Sequence, residues 1–233
     1  RAMTDIERDV RFGGTVTLLR QASSSLETAV SSFEQSIWVP TKRWSMAHGD
    51  RYFPLIAALL FVMSIAFPYW KLHLNAPQYP DGLHVTLGVN TIGGDAQEID
   101  GLNHYIGMRP LSEGGKFERS IAVYAVVAMA LVTVVAAVRK KWFWLAAVPG
   151  ILFPPVFTAD LAYWLYTFGH NLDPRAALSN AFDDFMPTLL GPGRVGQFTS
   201  WSFYELGFGM SFLASLLLIA AVIIRIQRER RQA

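Results

Sequence analysis

Four stretches of this chain, residues 52–70, 120–138, 142–168 and 206–224, run for 19 residues or more with a single charge among them, Asp160. A bilayer core about 30 Å thick needs roughly 20 apolar residues at 1.5 Å rise each. One such run fits a buried helix of a soluble protein; four in 233 residues point to lipid as the main solvent. In lipid a span must satisfy its own backbone hydrogen bonds, so each run is read as a helix. The predicted fold class is therefore an all-α polytopic membrane protein with four transmembrane helices, a small β-hairpin in an outer loop and an N-terminal amphipathic helix. Charged residues make up 16% of the chain, against about 25% in a soluble domain, and they gather between the runs.

The Lys and Arg residues fix the expected orientation. With four spans both termini share a side, which then holds fourteen of the twenty basic residues, including Arg139–Lys141 and Arg225–Arg231; the other side holds six. The positive-inside rule puts that first side in the cytoplasm of a bacterial inner membrane. The organisation expected is a cytoplasmic segment 1–51, a membrane domain 52–225 with periplasmic loops 71–119 and 169–205, and a basic tail 226–233. The segment before Tyr52 has no apolar core of a signal peptide, so the first span is expected to act as an uncleaved insertion signal. Net charge is only +2 and the basic clusters abut apolar runs, which favours membrane anchoring over nucleic-acid binding.

Between the spans the local signals differ. Leu19, Ala22, Leu26, Ala29, Val30, Phe33 and Ile37 recur at helical spacing, predicting an amphipathic helix over 15–39 that Pro40 ends; its polar face is serine-rich, favouring a protein contact over lipid. Leu83, Val85, Leu87 and Val89 alternate with His84, Thr86 and Gly88, predicting a strand, with a turn at Gly93-Gly94 and a return strand over 96–99. Asp173-Pro174 resembles a helix start, predicting a short helix to Ala181, and Gly191-Pro192-Gly193 predicts an irregular crossing into the last span. Pro149, Pro154 and Pro155 are expected to kink or partly open the third span.

The chain has no cysteine, which removes thiolate metal sites, iron–sulfur ligation and a covalent c-type haem. Four histidines, His73, His84, His104 and His170, fall on the outer side with Met108 and Met186. His with thioether sulfur is a set that copper accepts, and His104, His170, His73 and Met108 are the candidate ligands. Against that stands the reading of these histidines as interfacial residues bonded to loop backbone. Asp160 sits in the outer half of the third span, where a carboxylate needs a partner. It serves either a proton or metal relay, or a hydrogen bond to backbone groups that the prolines free. No nucleophile elbow, phosphate loop, HExxH or dinucleotide fingerprint is present, and the chain reads as non-enzymatic.

Two outer stretches carry a resemblance: LNAPQYPDGL (74–83) with IDGLNHYIGM (99–108), and DLAYWLY (160–166) with GHNLDP (169–174). They resemble a family of small four-helix bacterial membrane proteins associated with gene clusters of the Sec-exported nitrous oxide reductase, over residues 68–205. The resemblance implies an accessory role, in assembly of, copper supply to, or electron transfer toward an exported copper enzyme. It brings no ligand set. Other readings from the residues are a structural subunit of a larger respiratory or photosynthetic complex, and a quinol-interacting subunit using Asp160. The partners expected are the bilayer and other membrane or periplasmic redox proteins.

Overall fold

The computed structural model describes residues 23–32, 48–178, 184–195 and 198–232, and the chain divides into two units, Arg1–His48 and Gly49–Ala233. In the first, residues 23–32 form a helix, α1, with every residue exposed, Leu26 and Val30 included. The remainder of the predicted 15–39 helix lies outside the described residues.

The second unit is built on long apolar helices. Residues 48–64 form α2; α4 spans Lys116–Val138, α5 Phe143–His170 and α6 Leu206–Gln232, while the shorter α3 spans Ala96–Ile106. Three of them, α4, α5 and α6, are long and apolar enough to cross a membrane, yet at most 33% of each apolar window is buried within the chain. A water-soluble core helix would hide that surface. Here Leu131, Leu152, Val156 and Leu213 face outward, as residues solvated by lipid do.

Small side chains let the helices approach. Ala57, Ala58, Ala130 and Ala214 pack with Phe61, Val126, Met129 and Leu218 in the middle of the bundle. Nearer one end Ala136, Ala146 and Ala221 close around Phe143, over whose ring the Arg225 guanidinium lies at 4.7 Å. The helix α2 runs antiparallel along α6. At one end Asp50 accepts a 2.8 Å hydrogen bond from Arg228; at the other, Pro68 O accepts one from Gly207 N, also at 2.8 Å. Gly207 is required there, since a Cβ would lie 2.6 Å from Phe67 O and 2.8 Å from Pro68 O.

The first apolar run does not stay helical to residue 70 as its composition predicts. From residue 65 the backbone tightens into i→i−3 bonds, and Pro68 prevents a further turn. Tyr69 then joins a sheet, donating its N–H to Leu87 O and accepting from Glu205 N, while its hydroxyl reaches Ser64 Oγ at 2.7 Å. Trp70 is 2% exposed and donates Nε1–H to Leu189 O at 2.8 Å.

That sheet is the main departure from an all-α fold. Strands β1 (Trp70–Ala76), β2 (Tyr79–Leu87) and β3 (Ile92–Gly94) come from the first outer segment; β4 (Gly191–Val195) and β5 (Phe198–Tyr204) come from the second. They form one antiparallel sheet in the order β3-β2-β1-β5-β4. The predicted strand through Leu83, Val85 and Leu87 is present, but its long partner is β1 and not residues 96–99. Residues 96–99 open α3 instead, because Ile99, Leu102 and Ile106 recur at helical spacing, and Ile99 and Leu102 seat on Leu83 and Val85.

Two further expectations fail for local reasons. Residues 173–178 make turns, not a helix: the Asp173 carboxylate accepts from Arg175 N, and Asp173 N and Leu178 N donate to Gly107 O and Tyr105 O. The predicted irregular crossing at 191–193 is strand β4, whose Pro192 is tolerated because β4 lies at the sheet edge. The helix α5 continues without a break through Pro149, Pro154 and Pro155.

Candidate functional site on the capping sheet

Alternation along β1 and β2 separates two faces. Trp70, Leu72, Leu74, Leu83, Val85 and Leu87 pack against Leu161 and Leu165 of α5 and against α3. The opposite face carries His73, Asn75, His84 and Thr86, with Trp201 opposite His73 on β5 and 54% exposed.

His73 and His84 are direct cross-strand partners, ring centroids 4.4 Å apart, with Nδ1 of His73 3.0 Å from Nε2 of His84. The neighbours decide which nitrogen holds each proton. Asn75 Nδ2 donates to Thr199 Oγ1, so its amide oxygen faces His73 and accepts the Nε2–H at 2.7 Å. In the neutral ring Nδ1 of His73 is then an acceptor, and His84 must donate from Nε2. That leaves Nδ1 of His84 as the basic atom, 3.9 Å from the Asp95 carboxylate. Asp95 is itself held by the N–H of His84 at 2.9 Å. His84 Nδ1 is open to a metal, for which neutral imidazole is a common ligand.

The candidate ligands from the sequence occupy separate elements. His73 is in β1, paired as described. His104 stands exposed in the last turn of α3, which Gly107 ends with φ +82°, so Met108 lies beyond the helix and does not share a helical face with His104. His170 ends α5, stacked on Tyr166 at 3.8 Å with Nδ1 bonded to Tyr166 O at 3.0 Å. Among the described residues no group of three or more His, Asp or Glu side chains is gathered to hold a metal ion, so His73, His104 and His170 do not converge.

Asp160 is half-buried on α5, with Glu118 of α4 close enough to act on it electrostatically. The carbonyl that Pro155 deprives of its helical donor belongs to Ile151, and Ser215 of α6 donates to it at 3.0 Å. Ser215, not Asp160, takes that vacancy.

Asn75, Asp95 and Ser215 are the participants that sequence reading missed. The alternation around His84 marked one strand. The strand that brings His73 opposite it alternates in the same way, Leu72 and Leu74 between Lys71, His73 and Asn75, but it follows directly on an apolar run, where the sequence predicts the loop after a span. No protein-family model matches this chain, and no curated protein matches it.

Proposed function

We propose that this chain is a non-enzymatic, four-span accessory protein of a redox system facing the periplasm, whose polar sheet face docks an exported partner. One observation carries the reading: segments more than a hundred residues apart combine into a sheet anchored by one face, leaving the other open. That open face presents a large exposed aromatic, Trp201, beside the His73–His84 pair, and tryptophan is among the residue types most enriched where proteins meet. The fourth span in this reading is α2 with the tight turns after it, which together follow α6 from Asp50 to Pro68. Both termini are then cytoplasmic, in agreement with the basic residues at 139–141 and 225–231.

A photo-crosslinking residue at Trp201 tests the docking surface in native membranes. It is expected to yield a discrete adduct with an extracytoplasmic protein, while the same residue at Leu145 yields none. Absence of any adduct at Trp201, with one at Leu145, would transfer the contact to the bundle and favour a structural subunit of a larger membrane complex.

Copper handling is a second reading, supported by the resemblance and by the His73–His84 pair. Nδ1 of His73 and Nε2 of His84, 3.0 Å apart, can both face one ion once the His84 proton moves from Nε2 to Nδ1. Purified protein should then retain Cu(I) under reducing conditions and lose it in His73→Ala/His84→Ala, with His104→Ala without effect. Equal retention by the double variant would refute it.

A further inference from the structure

At the sheet-bearing end of α4 a cavity of about 670 Å³ is lined by Asn90, Ser112, Lys116, Arg119, Ser120, Val123 and Tyr124. Two of these residues are cations, four carry neutral polar groups, and none of them is acidic. Its position matters as much as its charge. Lys116 and Arg119 are the last basic residues before the uncharged run 120–138, so the cavity lies where a membrane surface would meet the helix.

Arg119 is fixed in place: Nε donates to Gly114 O at 3.0 Å and Nη2 to Ser112 O at 2.6 Å. These bonds use two of the five guanidinium N–H donors, and the remainder stay available to an anion. Lys116 is exposed one turn away on the same side of the helix. Glu118 belongs to the other side, near Asp160.

Below the cavity, Tyr124, Val127, Leu131, Val135 and Val138 follow at spacings of three and four, and all are exposed. They form one continuous apolar lane down the same face of α4. A polar, cationic cup opening onto an apolar lane matches a molecule with an anionic head and a hydrocarbon tail.

We infer that this cavity binds the headgroup of an anionic phospholipid, with Lys116 and Arg119 on the phosphate and an acyl chain along Tyr124, Val127 and Leu131. The inference does not depend on the docking role of the sheet. A free phosphate shares the head's chemistry but makes no use of the lane, and this separates the two sources.

The test is native mass spectrometry of the full chain released from nanodiscs of phosphatidylglycerol or phosphatidylcholine. Retention of phosphatidylglycerol is expected to exceed that of phosphatidylcholine by about fivefold or more, since each basic group beside anionic lipid contributes about 1 kcal/mol. Lys116→Glu should remove the preference and Lys116→Met should reduce it, both variants eluting as the native protein does. Lys141→Glu, at the opposite end of the pair of helices, should leave the preference intact. Equal retention of the two lipids, an unchanged preference in Lys116→Glu, or displacement of bound lipid by millimolar inorganic phosphate would overturn the inference.

Discussion

Ser215 shows how a single hydroxyl makes a proline tolerable inside a membrane helix. Pro155 cannot donate to Ile151 O, and a bare carbonyl in hydrocarbon is costly. The Ser215 bond to that carbonyl at 3.0 Å also joins α6 to α5. Ser215→Ala should lower stability in detergent by about 1 kcal/mol. Pro155→Ala restores the missing N–H, so it should recover more stability in the Ser215→Ala background than in the native one. Equilibrium unfolding of the four proteins measures that coupling, and strict additivity would show that the hydroxyl is not serving the carbonyl. The histidine pair makes an equally local prediction. With Asn75 accepting from His73, both rings in the neutral pair should be Nε2–H tautomers, visible in ¹⁵N chemical shifts of labelled protein. Asn75→Leu removes the acceptor and should release that constraint on His73; an Nδ1–H tautomer at His73 in the native protein would contradict the proton order derived from the geometry.

The elements differ in how much of them can be read from residues alone. The long helices α4, α5 and α6 are legible because the bilayer imposes a length and forbids charge, and both constraints leave uninterrupted runs in the sequence. Of the sheet only β2 is legible, and β5 shows why the rest is not. In Phe198–Tyr204 the inward positions include Ser202, fully buried with its hydroxyl on Thr188 O, while Trp201 points out and is 54% exposed. At the centre of the strand the polar residue is inward and the large apolar one outward, so a rule that seats apolar residues inward gives no clear face. Its pairing with β1 also joins segments more than a hundred residues apart, and nothing local encodes that. The site suffers the same loss, since His73 meets His84 only once β1 is known to be a strand. The register can be tested directly because the chain has no cysteine of its own. Lys71 and Phe203 are partners across β1 and β5. Lys71→Cys/Phe203→Cys should form a disulfide under mild oxidation, since antiparallel partners have Cα atoms about 4.5–5.5 Å apart. Leu72→Cys/Phe203→Cys places the two side chains on opposite faces and should not. Crosslinking of the second pair in preference to the first would mean a register shifted by one residue.

At the scale of the whole molecule, the sheet and the two ends of the bundle define a direction. The sheet, the α2–β1 connection and the start of α6 lie together, since Tyr69 and Pro68 bond both to the sheet and to the α6 entry. The opposite end holds Asp50, Arg228 and the short connection between α4 and α5. If α2 crosses the bilayer with the other three helices, these two ends face different compartments, and the excess of Lys and Arg assigns the Asp50 end to the cytoplasm. Single cysteines at Gln78 and Glu113 mark the sheet end, and a cysteine at Glu229 marks the other. In intact cells a membrane-impermeant maleimide should label the first two once the outer barrier is opened. It should label the third only after the inner membrane is broken. Were α2 to lie outside the bilayer, three crossings would remain. His48 and Glu229 would then fall on opposite sides, and a cysteine at His48 would label with Gln78. Labelling of His48→Cys together with Glu229→Cys, and apart from Gln78→Cys, is the pattern that four crossings require; labelling of Gln78→Cys only after the inner membrane is broken would leave the open sheet face without access to an exported partner.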